Sequence, residues 1–355
     1  MRILLANPFG IGDILFTLPL IQSLREQDPS GFVGYLDNRR TAELIATWPE
    51  ISWQMPFEFR AISKHSWKAG WTELRRSAEQ IRKQHFDLLI DLSLGWPVGC
   101  AAWLAGVRRR VGLDYRKRGF FLTEKIPFSG FRNQAVGDTY LDLLPQIGFQ
   151  RPQSPQMRMA LSPDLETAAA ALLENGSDSS QRFLGLVPGG GVSWGPMARF
   201  KQWPADRFAQ VADDLAGRYH WEVVLFGDQG DQPICQEVAR AMKHKSRVIA
   251  PAPSLPLLAH LLKRCALVIG NDSGPMHLAD AVGVKTVAIF GPVDASVYGP
   301  PGEGRGSPRR VVTHGLPCRP CYRDFRFPPC PWDNACLKEL PVSQVLEAAY
   351  EIIAP

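Results

Sequence analysis

The sequence predicts an α/β protein of two doubly wound domains, each with a parallel sheet covered by helices on both faces. Three observations carry this. Short apolar strands alternate with amphipathic segments through both halves of the chain. The alternation is interrupted at a Pro- and Gln-rich stretch, residues 150–156 (QRPQSPQ), and then starts again. The 355 residues also suit about two domains of ordinary size.

In chain order, the first half offers strands at 2–6 (RILLA), 33–37 (VGYLD), 86–93 (FDLLIDLS) and 109–114 (RRVGLD). Helical periodicity fills 14–26 and 71–85, where Trp71, Leu74, Ala78 and Ile81 recur on one face. Pro19 lies inside the first of these helices and should kink it. After the interruption, strands are expected at 183–188, 222–228, 246–250, 266–272 and 285–292. Helices are expected at 204–219, 231–243, 255–264 and 274–282. The division is therefore a domain at 1–165, a second at 166–340, and a C-terminal segment 341–355 whose helix packs back on the first domain. Two such sheets should face each other across a cleft, with ligands at the carboxyl ends of the strands.

Composition is globular, with 45% hydrophobic and 21% charged residues. The apolar stretch 88–110 invites a membrane-spanning reading. Asp91 and the Gly95-Trp96-Pro97 break favour a buried strand followed by a short helix instead. Asp13 interrupts the N-terminal apolar run and no small-residue cleavage site follows, so a cytoplasmic protein is expected. The net charge of +5 lies entirely in residues 1–165, where 21 Lys+Arg oppose 16 Asp+Glu; the remainder balances at 19 of each. Arg108–Arg110 and Arg116-Lys117-Arg118 are its densest clusters. Such a face is either plain solvated surface or an attractor for an acidic glycan or anionic headgroups. Nucleic acid is not expected, because no recognised binding motif accompanies the charge.

Two segments of the second half look suited to phosphate. In 268–294, a buried strand ends at Asn271-Asp272, and Ser273-Gly274-Pro275 opens a helix with His277 in its first turn. Free N–H groups and the helix dipole favour an anion there, although an ordinary capped helix has the same spacing. In 187–208, Gly189, Gly190 and Gly191 follow a strand, and Lys201 could reach a phosphate as a point charge. This is not a Walker loop, since no Gly-Lys-Ser/Thr ends it. In the first half, the turn Gly10-Ile11-Gly12-Asp13 has the glycines of a phosphate cradle but ends in a carboxylate that would repel one. Asp13 either caps its helix or works as a base. Cys318, Cys321, Cys330 and Cys336 do not match the spacing of a standard zinc ribbon, so reduced thiols packing a loop are expected.

These segments, with "DTYLDLLPQIG" at 138–148, resemble glycosyltransferase family 9, the ADP-heptose:lipopolysaccharide heptosyltransferases. The resemblance implies a GT-B fold of two Rossmann-like domains, with acceptor bound by the first and nucleotide sugar by the second. It implies inverting transfer from an ADP-sugar without metal or cofactor, onto an acidic glycolipid or lipopolysaccharide core at the cytoplasmic face of the inner membrane. Asp13 matches the catalytic carboxylate, and Lys201 a phosphate-contacting lysine. Asp272, Ser273, Gly274 and His277, with Gly189 and Gly190, match the nucleotide-sugar loops. Gly12 and Arg116, Lys117 and Arg118 are assigned to the acceptor. An acidic residue holding the ribose aligns near Asp228-Gln229 without a secure equivalent. The alternatives are a GT-B sugar-nucleotide epimerase and a nucleotide-binding module without catalysis.

Overall fold

A computed structural model describes residues 1–58, 62, 67–174, 182–299 and 308–354. The chain divides into two compact units, Met1–Gln156 and Met157–Pro355. The segment after the Pro- and Gln-rich stretch is held by the second unit: Met157 and Met159 are buried, and the Met159 N–H donates to the Ala281 carbonyl at 2.9 Å.

In the first unit, β1 (Arg2–Ala6), β2 (Phe32–Asp37), β3 (Trp53–Pro56), β4 (Leu88–Asp91), β5 (Arg109–Tyr115) and β6 (Glu124–Phe128) form one six-stranded sheet. Its order is β3-β2-β1-β4-β5-β6, and every pairing is parallel. The second unit repeats the plan with β7 (Phe183–Val187), β8 (Glu222–Phe226), β9 (Ser246–Ile249), β10 (Cys265–Asn271), β11 (Thr286–Ile289) and β12 (Arg309–Val312). Its order is β12-β11-β10-β7-β8-β9, again parallel throughout. In both sheets the chain starts at a central strand and winds outward twice. The strand order therefore reverses between β1 and β4, and between β7 and β10. Ligands of open α/β sheets collect at the carboxyl side of such reversals.

The central strands are buried on both faces, as continuous apolar runs require. The sequence reading missed β3, β6 and β12, all of them edge strands. Half-exposed positions and charged or polar residues there dilute the apolar signal.

Three expectations are corrected or resolved. The first helix is two helices, Ile11–Leu15 and Leu18–Gln27, so Pro19 kinks nothing. It sits in the first turn of the second helix, where a missing N–H breaks no bond. The C-terminal helix Val342–Ile353 lies against β11, β12 and the helix Ala205–Tyr219 of its own unit. Its apolar stripe, Val345, Ala349 and Ile352, is absorbed by that core. The stretch 88–110 becomes β4 and a ten-residue helix, Trp96–Ala105, closed by Gly106 at φ +87°. Among the described residues, no helix is long and apolar enough to cross a membrane.

At the end of β2, Asp37 is fully buried, and neither carboxylate oxygen has a hydrogen-bond partner among the described residues. Burial pushes its pKa up to about 7. The folded state thus holds a proton that the unfolded chain releases near pH 4, and stability falls as pH rises between those values. The loss is up to about 4 kcal/mol. Asp37→Asn removes the titration. Urea denaturation should find the variant's advantage over the parent largest near pH 8 and clearly smaller near pH 5. Equal effects at the two pH values would refute the assignment.

Candidate functional site

In the second unit, chemistry gathers where β7 and β10 end side by side. The Phe183–Val187 strand runs into Pro188-Gly189-Gly190-Gly191 and then a 3₁₀ segment, Val192–Lys201. Each glycine has a stated reason. A Cβ on Gly189 would fall 2.2 Å from the Asp231 carboxylate, and one on Gly190 would fall 2.1 Å from the Ala198 carbonyl. Gly191 sits at φ +87°.

Asn271, the last residue of β10, locks this loop to the strand beside it. Its amide donates to the Pro188 carbonyl at 2.7 Å, and its oxygen accepts the Trp203 N–H at 3.0 Å. Trp203 is wholly buried, so its neighbour Lys201 is carried inward. The Lys201 ammonium reaches the Asp272 carboxylate at 2.7 Å and lies 4.5 Å above the Trp194 ring. The other Asp272 oxygen is 3.6 Å from His277 Nε2. Lys201 and Asp272 are 4% and 6% exposed, which makes this a buried ion pair. Burial alone would raise the Asp272 pKa, but Lys201 and His277 outweigh it and hold the carboxyl below its ordinary value.

Ser273 begins the helix Gly274–Ala281, with Pro275 in the first turn. It makes no side-chain cap, and its hydroxyl is buried without a partner among the described residues. An unfilled hydroxyl at a helix N-terminus beside a lysine is a place for an anion. The structure thus brings Gly189, Gly190, Lys201, Asp272, Ser273, Gly274 and His277 to one end of one sheet. Lys201 is not the lone point charge expected from sequence, because Asp272 already neutralises it.

In the first unit, Asp13 lies in the short helix Ile11–Leu15 with Gly12. One Asp13 oxygen accepts the Gly10 N–H at 3.1 Å, so the carboxylate does close its own turn. Asn7, buried at the end of β1, donates to the Asp13 backbone carbonyl at 3.1 Å and accepts the Phe9 N–H at 3.2 Å. Tyr140, from the "DTYLDLLPQIG" segment, meets the same Asn7 amide at 3.5 Å. Asn38, just past β2, donates to the Pro8 carbonyl at 3.2 Å. Arg116, Lys117 and Arg118 are exposed in the turn after β5, well away in sequence from the Asp13 loop. Arg116 and Lys117 adopt φ of +53° and +58°.

Sequence reasoning gave no role to Asn7, Asn271, Trp194 or Asp231. Asp231 lies against Gly189, and burial pushes its pKa up to about 6, with Asp228 adding to the shift. Asp228 itself accepts the Gly230 and Asp231 N–H groups and so shapes the turn. The spacing Asp228-x-x-Asp231 ahead of a helix was the available signal. The four C-terminal cysteines line one cavity with Arg319 and Trp332. Cys336 is pushed up to about 11 by burial. Among the described residues, no three His, Cys, Asp or Glu side chains are grouped to hold a metal ion.

A family model described as glycosyltransferase family 9 (heptosyltransferase) matches residues 74–323. Lipopolysaccharide heptosyltransferase 2 of Salmonella typhimurium is 24% identical over 321 residues, covering 88% of this chain and 89% of that one. Among solved structures, a family 9 glycosyl transferase from Veillonella parvula superposes with a TM-score of 0.82 at 23% identity, covering 99% and 97% of the two chains. The Escherichia coli ADP-heptose lps heptosyltransferase II superposes with a TM-score of 0.78 at 20% identity, covering 99% and 98%. At these identities the structural likeness shows the fold, a pair of Rossmann-like α/β domains of the GT-B type.

The buried pair has a measurable signature. Lys201→Met leaves an uncompensated charge on Asp272 and should cost about 3–5 kcal/mol of stability. Adding Asp272→Asn should restore most of that loss. Urea unfolding of the two variants tests this, and a single variant as stable as the parent would show that the pair is not held together in solution.

Proposed function

Because the chain belongs to glycosyltransferase family 9, we propose that it moves a heptose from an ADP-heptose donor to a hydroxyl of a lipopolysaccharide core acceptor. The observation that carries the donor half is the Lys201–Asp272–His277 cluster beside the open Ser273 hydroxyl at a helix N-terminus. Lipopolysaccharide heptosyltransferase 2 and the ADP-heptose enzyme, both relatives by sequence or fold, support the choice of sugar and nucleotide.

The donor diphosphate binds at the Ser273-Gly274 amides, with the Ser273 hydroxyl and Lys201 on its oxygens. Asp272 holds Lys201 and His277 in place and keeps the cluster from carrying excess positive charge before the donor arrives. Gly189 and Gly190 let the loop lie close against Asp231 and Ala198, which sets the position of Lys201 beyond it. Arg116, Lys117 and Arg118 attract the acidic acceptor toward the first unit.

Transfer is a displacement at the sugar C1. The acceptor oxygen forms a bond to C1 as the bond from C1 to the diphosphate oxygen breaks, and the configuration inverts. The hydroxyl proton passes to Asp13, and the electron pair of the broken bond leaves on ADP. Lys201 and the helix N-terminus stabilise the charge that develops there, which is the work a divalent cation does in other transferases. Because a core acceptor is lipid-anchored, the reaction takes place at the cytoplasmic face of the inner membrane, with the protein peripheral to it.

The proton step gives the sharpest test. An asparagine at position 13 still accepts the Gly10 N–H through its amide oxygen, so the turn is kept. It cannot take a proton, and Asp13→Asn should lower kcat by about 10²–10⁴-fold. ADP affinity, read by calorimetry, should stay at the parental value in Asp13→Asn and fall in Lys201→Ala. A folded Asp13→Asn protein that keeps most of its kcat would leave Asp13 as a helix cap only.

A further inference from the structure

The helix Trp96–Ala105 has no charged residue. One face is buried, through Val98, Ala101, Ala102 and Ala105. On the opposite side Trp96 and Trp103, two turns apart, are 37% and 53% exposed, while Gly99 and Cys100 between them are buried. A helix that is apolar all round belongs in a core or against lipid. The next elements extend the ridge. Phe121 sets its ring beside both tryptophans, with centroids 6.4 Å from Trp96 and 5.6 Å from Trp103. Phe120 beside it is 70% exposed.

Phe120 and Phe121 follow Arg116-Lys117-Arg118, all three exposed, with only Gly119 between. The Arg110 guanidinium donates to the Phe121 carbonyl at 2.5 Å and ties strand and ridge together. Two acids lie nearby, one of them already matched by its own cation and the other a single charge against three. Glu124 is paired with Arg109 at 2.6 Å, and Asp114 accepts the Gly119 N–H at 2.8 Å. The ridge is therefore aromatic with a basic margin.

We infer that this surface of the first unit, Trp96, Trp103 and Phe120 with Arg116, Lys117 and Arg118, docks on an anionic lipid bilayer. Charge decides the occupant. Indole and phenyl rings settle at the headgroup level, and Lys and Arg beside them are drawn to acidic headgroups. The inference rests on the reading of the acceptor as membrane-anchored and adds which face meets the membrane. The turn carrying Arg116–Arg118 leaves the carboxyl end of β5, the same end of the sheet from which the Asp13 loop leaves β1. Docking there presents headgroup-level glycans to the end of the sheet that carries Asp13.

The test is co-sedimentation of the full chain with vesicles of phosphatidylcholine and phosphatidylglycerol, against phosphatidylcholine alone. The parent should bind the mixed vesicles and release with salt. Arg116→Glu/Lys117→Glu/Arg118→Glu should weaken binding by about a hundredfold or more, since each cation near such a surface contributes several-fold. Trp103→Ser/Phe120→Ser should weaken it by about tenfold or more, while leaving transfer to a water-soluble, delipidated acceptor at the parental rate. That rate also reports correct folding. Absence of binding by the parent, or equal binding by the aromatic variant, overturns the inference. So does an aromatic variant that turns a dimer into a monomer by light scattering, since the occupant is then a second copy. A chain that binds vesicles as described yet transfers to no acceptor would refute the proposed function and leave the surface standing.

Discussion

Both sheets begin in the middle. β1 and β7 are laid down first, the chain winds outward on one side, and it then returns to set β4 or β10 against the strand that started it. Loops leaving those two central strands must diverge, because each connects to a helix on a different side. The space between them cannot be filled by the loops themselves. Asn7 and Asp13 stand at the rim of the first space, and Lys201, Asn271, Asp272 and Ser273 at the rim of the second.

Such rims are costly to build, since backbone groups leaving a buried strand need partners. The two units solve this alike. A fully buried asparagine ends one central strand of each sheet: Asn7 after β1 and Asn271 in β10. Each uses both halves of its amide on backbone groups of a turning loop. The loops are then fixed well enough to carry a side chain at a defined point, Asp13 in one case and Lys201 in the other. Neither asparagine needs to touch a substrate for its loss to disturb the site.

The alternation of apolar strands and helices was legible because interior parallel strands are buried on both faces and read as unbroken apolar runs. β3, β6 and β12 were not, because one side of an edge strand carries residues chosen for solvent. Gly189, Lys201, Asp272, Ser273 and His277 could be picked out as a group because a strand, a glycine turn and a helix start have recognisable residue types. What sequence could not give is pairing. Nothing in the spacing of Lys201 and Asp272 says that they share a buried ion pair, or that Asp231 lies under Gly189. Those contacts depend on which strands become neighbours. Asp37 was invisible for the same reason: an aspartate ending a strand is ordinary until its surroundings turn out to be closed to water.

The contrast between the two glycine turns also has a physical basis. A helix N-terminus with a glycine approach attracts an anion, and both units possess one. In the first unit the chain supplies the anion itself: the Asp13 carboxylate accepts the Gly10 N–H, so the position is occupied by a residue of the helix it caps. In the second unit Ser273, at the start of the helix that follows β10, has a hydroxyl that is neutral, buried and without a partner among the described residues, with Lys201 and Asp272 alongside. A helix start is therefore closed by the chain's own carboxylate in one unit and keeps an open hydroxyl in the other.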